Sequence, residues 1–142
     1  MPECRYSRGR ILDSVRFISE EVREFEEEYS NKSRNEYEND RKLQKLIDRT
    51  VENILTALIE VCGTYLTEKG ISSDSYAAAL RKCGQELGLS EKEQENLASL
   101  AIQRNRLAHR YLNYRYQAIQ DFSEKRGLVA KMLNRLLKQE SQ

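Results

Sequence analysis

The stretch Leu100-Ala101-Ile102-Gln103-Arg104-Asn105-Arg106-Leu107-Ala108-His109-Arg110-Tyr111 decides how the chain is read. With Leu97 before it, the apolar residues Leu97, Leu100, Ala101, Leu107, Ala108 and Tyr111 recur at the spacing of a buried helical stripe. Arg104 interrupts that stripe. A guanidinium keeps its proton and costs several kcal/mol, on the order of a broken buried ion pair, when it is buried unpaired. The stripe therefore predicts a helix with a specific partner for Arg104. The stretch also holds His109, the one histidine of the chain.

The segments on either side read as helices too. Upstream, Ser90 with Glu93 forms a capping box that opens the motif helix. A shorter helix precedes it, from about Asp74 to Leu87, with Tyr76, Ala77, Leu80 and Cys83 expected inward and Gly88 closing it. Before that, Leu43, Ile47, Val51, Ile54, Leu58, Val61 and Tyr65 mark a long helix from near Asp40 to a stop at Gly70. Leu46, Leu55, Ile59, Cys62 and Leu66 widen its apolar face. Gly70 fits a left-handed position after the helix end, with Ile71 making the accompanying contact. The first helix carries a narrow seam of Ile11, Val15, Ile18, Val22, Phe25 and Tyr29. Its acidic half, Glu20 to Glu28, reads as a solvated face or as a surface for a partner. Ser33 and Glu36 suggest a short capped turn. Downstream of the motif, one helix from roughly Tyr116 to Lys138 buries Ile119, Phe122, Val129, Met132, Leu133 and Leu136, with Gly127 as its weak point.

Composition agrees with an all-α chain. Of 142 residues, 33% are charged and one is proline, which favours solvated helices over strands. The length suits one domain, residues 1–142, and the pattern predicts an antiparallel four- to five-helix bundle. The net charge of +1 neither marks nor excludes a nucleic-acid binder. Three widely spaced cysteines, Cys4, Cys62 and Cys83, read as reduced. No apolar run reaches the ~18 to 20 residues of a membrane span, and no secretory signal is visible. A cytoplasmic protein with no membrane contact is expected.

Several chemistries are excluded by what they require. A zinc or two-metal hydrolase needs clustered His, Cys or carboxylate ligands, and none flank His109. Nucleotide-binding loops need a glycine-rich turn between a strand and a helix, and the six glycines are isolated. No serine or cysteine triad is visible. What remains is one imidazole with arginines and tyrosines between Arg104 and Tyr116, an interval without a single acidic residue. That set suits RNA, which carries its own nucleophile in the 2′-hydroxyl. Cleavage then needs a general base, a general acid and cations to hold the phosphate, with no metal or cofactor. Arg104 and His109 are the candidate catalytic pair. Arg106, Arg110 and Arg115 form either a solvated face or RNA contacts. Thr56 and Glu60 on the long helix can face the same cleft, though ordinary helix polarity explains them equally well.

Five residues apart on a helix, Arg104 and His109 point about 140° apart and sit ~7.5 Å apart along the axis. Within one chain they converge poorly. A two-fold partner laying the same helix alongside brings two of each into one cleft, so a homodimer with its site at the interface is expected.

The pattern Arg104-Asn105-x-x-x-His109-x-Tyr111 resembles the Arg, four residues, His, one residue, Tyr motif of the HEPN superfamily. It is most similar to the HepT-like toxins that pair with a minimal nucleotidyltransferase antitoxin. The likeness extends over the seam-like first helix, the long helix with Glu60 near its middle, the Ser75-Tyr76 helix start and Leu97 onward. The resemblance implies a homodimeric, metal-independent endoribonuclease with Arg104 and His109 in the cleft and Asn105 as the supporting polar residue. It also implies an antitoxin that silences some members by AMPylation of the motif tyrosine, here Tyr111. Just after the motif this chain has Asn113-Tyr114-Arg115 where many relatives carry an acidic residue. Two further readings stay open: a catalytically silent module that binds nucleotide or RNA, and a dimeric scaffold for a nucleotidyltransferase.

Overall fold

The longest helix grows from the clearest local signals. In the computed structural model, which describes residues 2–109 and 114–140, the chain from Arg41 to Glu68 is one α-helix of 28 residues. At about 1.5 Å per residue it is roughly 42 Å long. Asp40 caps it, accepting the Leu43 N–H at 3.0 Å. Gly70 ends it at φ 72°, a conformation that costs an L side chain strain. The Gly70 N–H then donates to Thr67 at 3.0 Å and the Ile71 N–H to Leu66 at 2.9 Å, the two bonds that satisfy the last carbonyls.

Around it, in chain order, lie α1 (Pro2–Glu24), a π turn (Phe25–Tyr29), α2 (Arg34–Asn39), the long helix α3 (Arg41–Glu68), α4 (Tyr76–Glu86), α5 (Glu91–His109), α6 (Arg115–Glu124) and α7 (Arg126–Glu140). The all-α expectation holds, and the described residues include no strand. α3 packs against α1, α4, α5 and α6, while α4 pairs closely with α5 and α1 with α7. One cluster of buried side chains runs from Ile11 in α1 to Leu136 in α7. No helix among the described residues is long and apolar enough to cross a membrane.

Three expectations need correction. The last helix is two: α6 ends at Glu124 and α7 starts at Arg126, and the break falls at Lys125 rather than Gly127. Lys125 donates from Nζ to Ser99 Oγ at 2.6 Å and to Asp121 Oδ2 at 3.0 Å, which pins the corner to α5. With the capped α2 turn, this split gives more helical segments than the four or five expected. Tyr76 is 52% exposed instead of inward, because it is the first residue after the Ser75 cap and α4 packs through Ala79, Leu80 and Cys83. Leu46 is 45% exposed; the apolar face of α3 passes through Ile47, Val51 and Ile54 at that end.

Candidate active site

α5 is fixed at its start. Ser90 Oγ accepts the Glu93 N–H at 3.1 Å, and Glu93 Oε1 accepts the Ser90 N–H at 3.0 Å. Lys131 on α7 donates to the other carboxylate oxygen at 2.7 Å. Lys131, then the Ser90 backbone, hold the Glu93 carboxyl down at about 2. The beginning of the motif helix is thereby tied to α7, and the start of its apolar stripe lies in the core through Leu97, Leu100 and Ala101.

The second half of α5 carries the charges. Arg104 lies half-buried at the edge of the stripe, while Gln103, at 7% exposure, takes the inward place beside it. Among the described residues, the partners of Arg104 are all neutral. Its Nε donates to Thr56 Oγ1 on α3 at 3.4 Å, and one terminal nitrogen donates to Asn105 Oδ1 at 3.5 Å. Its guanidinium lies 5.7 Å from the centre of the Tyr76 ring. Among the described residues, no carboxylate forms an ion pair with Arg104. Arg106 is held similarly, donating to Gln103 Oε1 at 3.2 Å and lying 5.1 Å from the Tyr114 ring centre. His109 is exposed and is the last residue of α5. Arg110 and Tyr111 lie outside the described residues.

This arrangement holds a cation in place without consuming its charge. Hydroxyl, amide and aromatic face orient a guanidinium, and its full positive charge stays available to an incoming anion. The site spans three helices: α3 supplies Thr56, α4 supplies Tyr76, and α5 supplies Arg104, Asn105 and Arg106. Glu60 is exposed one turn beyond Thr56. Among the described residues, no group of three His, Cys, Asp or Glu side chains is placed to hold a metal ion.

Arg115 is engaged elsewhere. Its guanidinium donates to Asp48 Oδ2 at 3.0 Å and to Gln44 Oε1 at 3.3 Å, both on α3. Asp48 is 5% exposed and accepts the Tyr37 hydroxyl at 2.5 Å through its other oxygen. Burial, then Asp48, push the Tyr37 phenol far up. Arg115 stands at the first position of α6, where the helix dipole disfavours a cation, and the Asp48 carboxylate offsets that. Of the three arginines weighed for RNA contact, Arg115 is thus built into the fold and Arg106 is near the site.

Tyr76 and Tyr114 were missed as site residues. Tyr76 follows the Ser75 cap at a position with no core neighbour a turn earlier, which is the signal that it points outward. Asp48 was missed as well, although it interrupts the Ile47, Val51, Leu55 face of α3 just as Arg104 interrupts the stripe of α5.

A family model described as ribonuclease HepT-like matches residues 18–132, from the last third of α1 into α7. A comparison with curated proteins found no match.

Proposed function

Because the chain belongs to the HepT-like ribonuclease family, we propose that it is a metal-independent endoribonuclease acting at a cleft shared by two copies. The observation that carries this reading is the half-buried Arg104, whose partners among the described residues are neutral. Arg115, which is built into the fold, is by contrast paired with a carboxylate.

In the proposed reaction, one His109 takes the proton of a ribose 2′-hydroxyl. The 2′-oxygen attacks the adjacent phosphorus as the bond from phosphorus to the 5′-oxygen breaks. The second His109 of the pair gives a proton to that leaving oxygen. Arg104 binds the non-bridging oxygens, whose negative charge grows in the transition state, and Asn105 helps to orient it. The products are a 2′,3′-cyclic phosphate and a 5′-hydroxyl. Two copies are needed because His109 and Arg104 are five residues apart on one regular helix and diverge by about 140°. Arg106 and Arg110 are proposed contacts to neighbouring phosphates.

In its biological setting the proposed role is that of a toxin, neutralised by a minimal nucleotidyltransferase that transfers AMP to Tyr111. The test is RNA incubated in excess chelator with wild type, Arg104→Ala and His109→Ala. Cleavage by wild type alone is expected, with activity falling as the protein is diluted into monomers. Cleavage that requires added metal would overturn the mechanism, and nucleotide binding without turnover would favour a silent module. A mass increase of one AMP on Tyr111 after incubation with such a partner and ATP tests the pairing.

A further inference from the structure

The acidic run of the first helix and the π turn that ends it are not used by the reaction. Residues 20–40 hold nine carboxylates and three cations, although the whole chain carries a net +1. This is the negative end of an otherwise positive molecule, and it adjoins a cleft of about 190 Å³ between the π turn, α2, α3 and α6. Drug-sized ligands need about 300 Å³ or more. This volume suits one side chain.

The walls of the cleft are aromatic: Phe25, Tyr29, Tyr37 and Tyr116. They brace one another. Phe25 meets Phe122 edge-on at 5.2 Å, and Tyr37 lies against Tyr116 at 5.3 Å. The Tyr37 hydroxyl is committed to Asp48, so its ring and not its oxygen faces the opening. Tyr29 and Tyr116 are half-buried. The π turn, closed by the Ser30 N–H donating to the Phe25 carbonyl at 2.8 Å, turns Tyr29 away from the position an α-helix would give it. Such single π turns occur often at functional sites. Two of the rings already carry guanidinium groups of this chain: Arg34 lies 5.4 Å from the Tyr116 ring centre and Arg126 5.6 Å from that of Phe25.

The field at the mouth is negative. Glu124 and Lys32 both line the cleft, and the Lys32 ammonium is met by Glu36 at 3.8 Å. Burial and then the carboxylates of Glu24 and Glu28 push the Tyr29 phenol up. Lys32 and Arg34 are already paired with Glu36 and Glu38 on α2, leaving the opposite wall acidic. RNA would bring its phosphates into this field, so the cleft does not suit the substrate of the proposed reaction. An arginine or lysine matches it in both respects, with an apolar stem and a cationic head.

We propose that this cleft is the docking site for a basic segment of a partner protein, taking one arginine or lysine with its stem against Tyr29 and Tyr116 and its cation toward Glu124. The inference is independent of whether the chain cleaves RNA. It divides the molecule into a face for anions at Arg104 and a face for cations at Tyr29.

The test titrates the full chain with a blocked alanine hexapeptide carrying two arginines, and with the same peptide carrying citrulline instead. The arginine peptide is expected to shift backbone NMR signals of residues 25–37 and 116–124, and citrulline to weaken binding about tenfold. Tyr29→Ala should weaken binding about tenfold, Tyr29→Phe should retain it, and Glu124→Gln should weaken it a few-fold. Circular dichroism verifies that each variant keeps its helices. Equal binding of both peptides, or binding indifferent to Tyr29→Ala and Glu124→Gln, would overturn the proposal. So would a single-stranded oligouridylate that produced the same shifts, or shifts that appeared on concentrating the chain alone, which would make the occupant a second copy.

Discussion

Two arginines reach the same helix and are received differently. Arg115 meets α3 near its start, where the buried Asp48 and Gln44 accept its hydrogen bonds. Arg104 meets α3 about two to three turns further along, where, among the described residues, the Thr56 hydroxyl accepts. The first pairing neutralises charge and fixes the entry to α6. The second fixes geometry and leaves charge in place. On the proposed reading, the Asp48 carboxylate makes Arg115 part of the fold, and the neutral partners of Arg104 leave its charge for something outside the chain.

The sharpest way to break this contrast is to remove each arginine in turn. Arg104→Ala is expected to lower RNA cleavage by about 10²-fold or more, with little change in the urea midpoint, and Arg104→Lys to recover little because a point charge lacks the planar fork. His109→Ala should cost on the order of 10²- to 10⁴-fold. Nearer the start of α3, Asp48→Ala strands Arg115 and leaves the Tyr37 hydroxyl without its acceptor. A loss of about 3 kcal/mol by urea unfolding is expected, with cleavage per folded molecule retained. Combining Asp48→Asn with Arg115→Gln should cost less than the sum of the single changes.

Smaller effects sharpen the picture further. Thr56→Ala should cost only about 0.5–1.5 kcal/mol, the net worth of a neutral hydrogen bond, and lower cleavage a few-fold by loosening Arg104. The smallest expected effect is in acid. The Glu93 carboxyl lies at about 2 rather than its ordinary 4.5, so its ionised form favours the folded state. That stability is fully present above pH 4.5 and is lost as pH falls from 4.5 through 2. Glu93→Gln should accordingly be less stable than wild type at pH 7, with the two thermal curves converging near pH 2.

Much of this was legible in the sequence because the signals were local. Both capping boxes, the Asp40 start and the Gly70 stop of α3 depend on residues within a turn of one another, and each is realised. The split between α6 and α7 was not legible, because it depends on Lys125 reaching Ser99 on another helix. The same limit applies to the site. Arg104 stood out as a charge in an apolar row, yet its partners are 48 residues away at Thr56 and on a different helix at Tyr76. A period of 3.6 tells which face a residue occupies and not what lies opposite. Arg115 was weighed as an RNA contact for the same reason: its partner Asp48 is 67 residues distant.

The most direct test of the central claim is the salt dependence of binding to a 2′-O-methyl RNA, which cannot be cleaved, for Arg104→Gln and Arg115→Gln side by side. Each phosphate contact to a single strand contributes about 0.7 to the slope of log K against log salt. The account predicts that Arg104→Gln weakens binding and reduces the slope by about that amount, while Arg115→Gln leaves the slope unchanged and lowers the melting temperature. A slope that falls with Arg115→Gln and is unmoved by Arg104→Gln would contradict it.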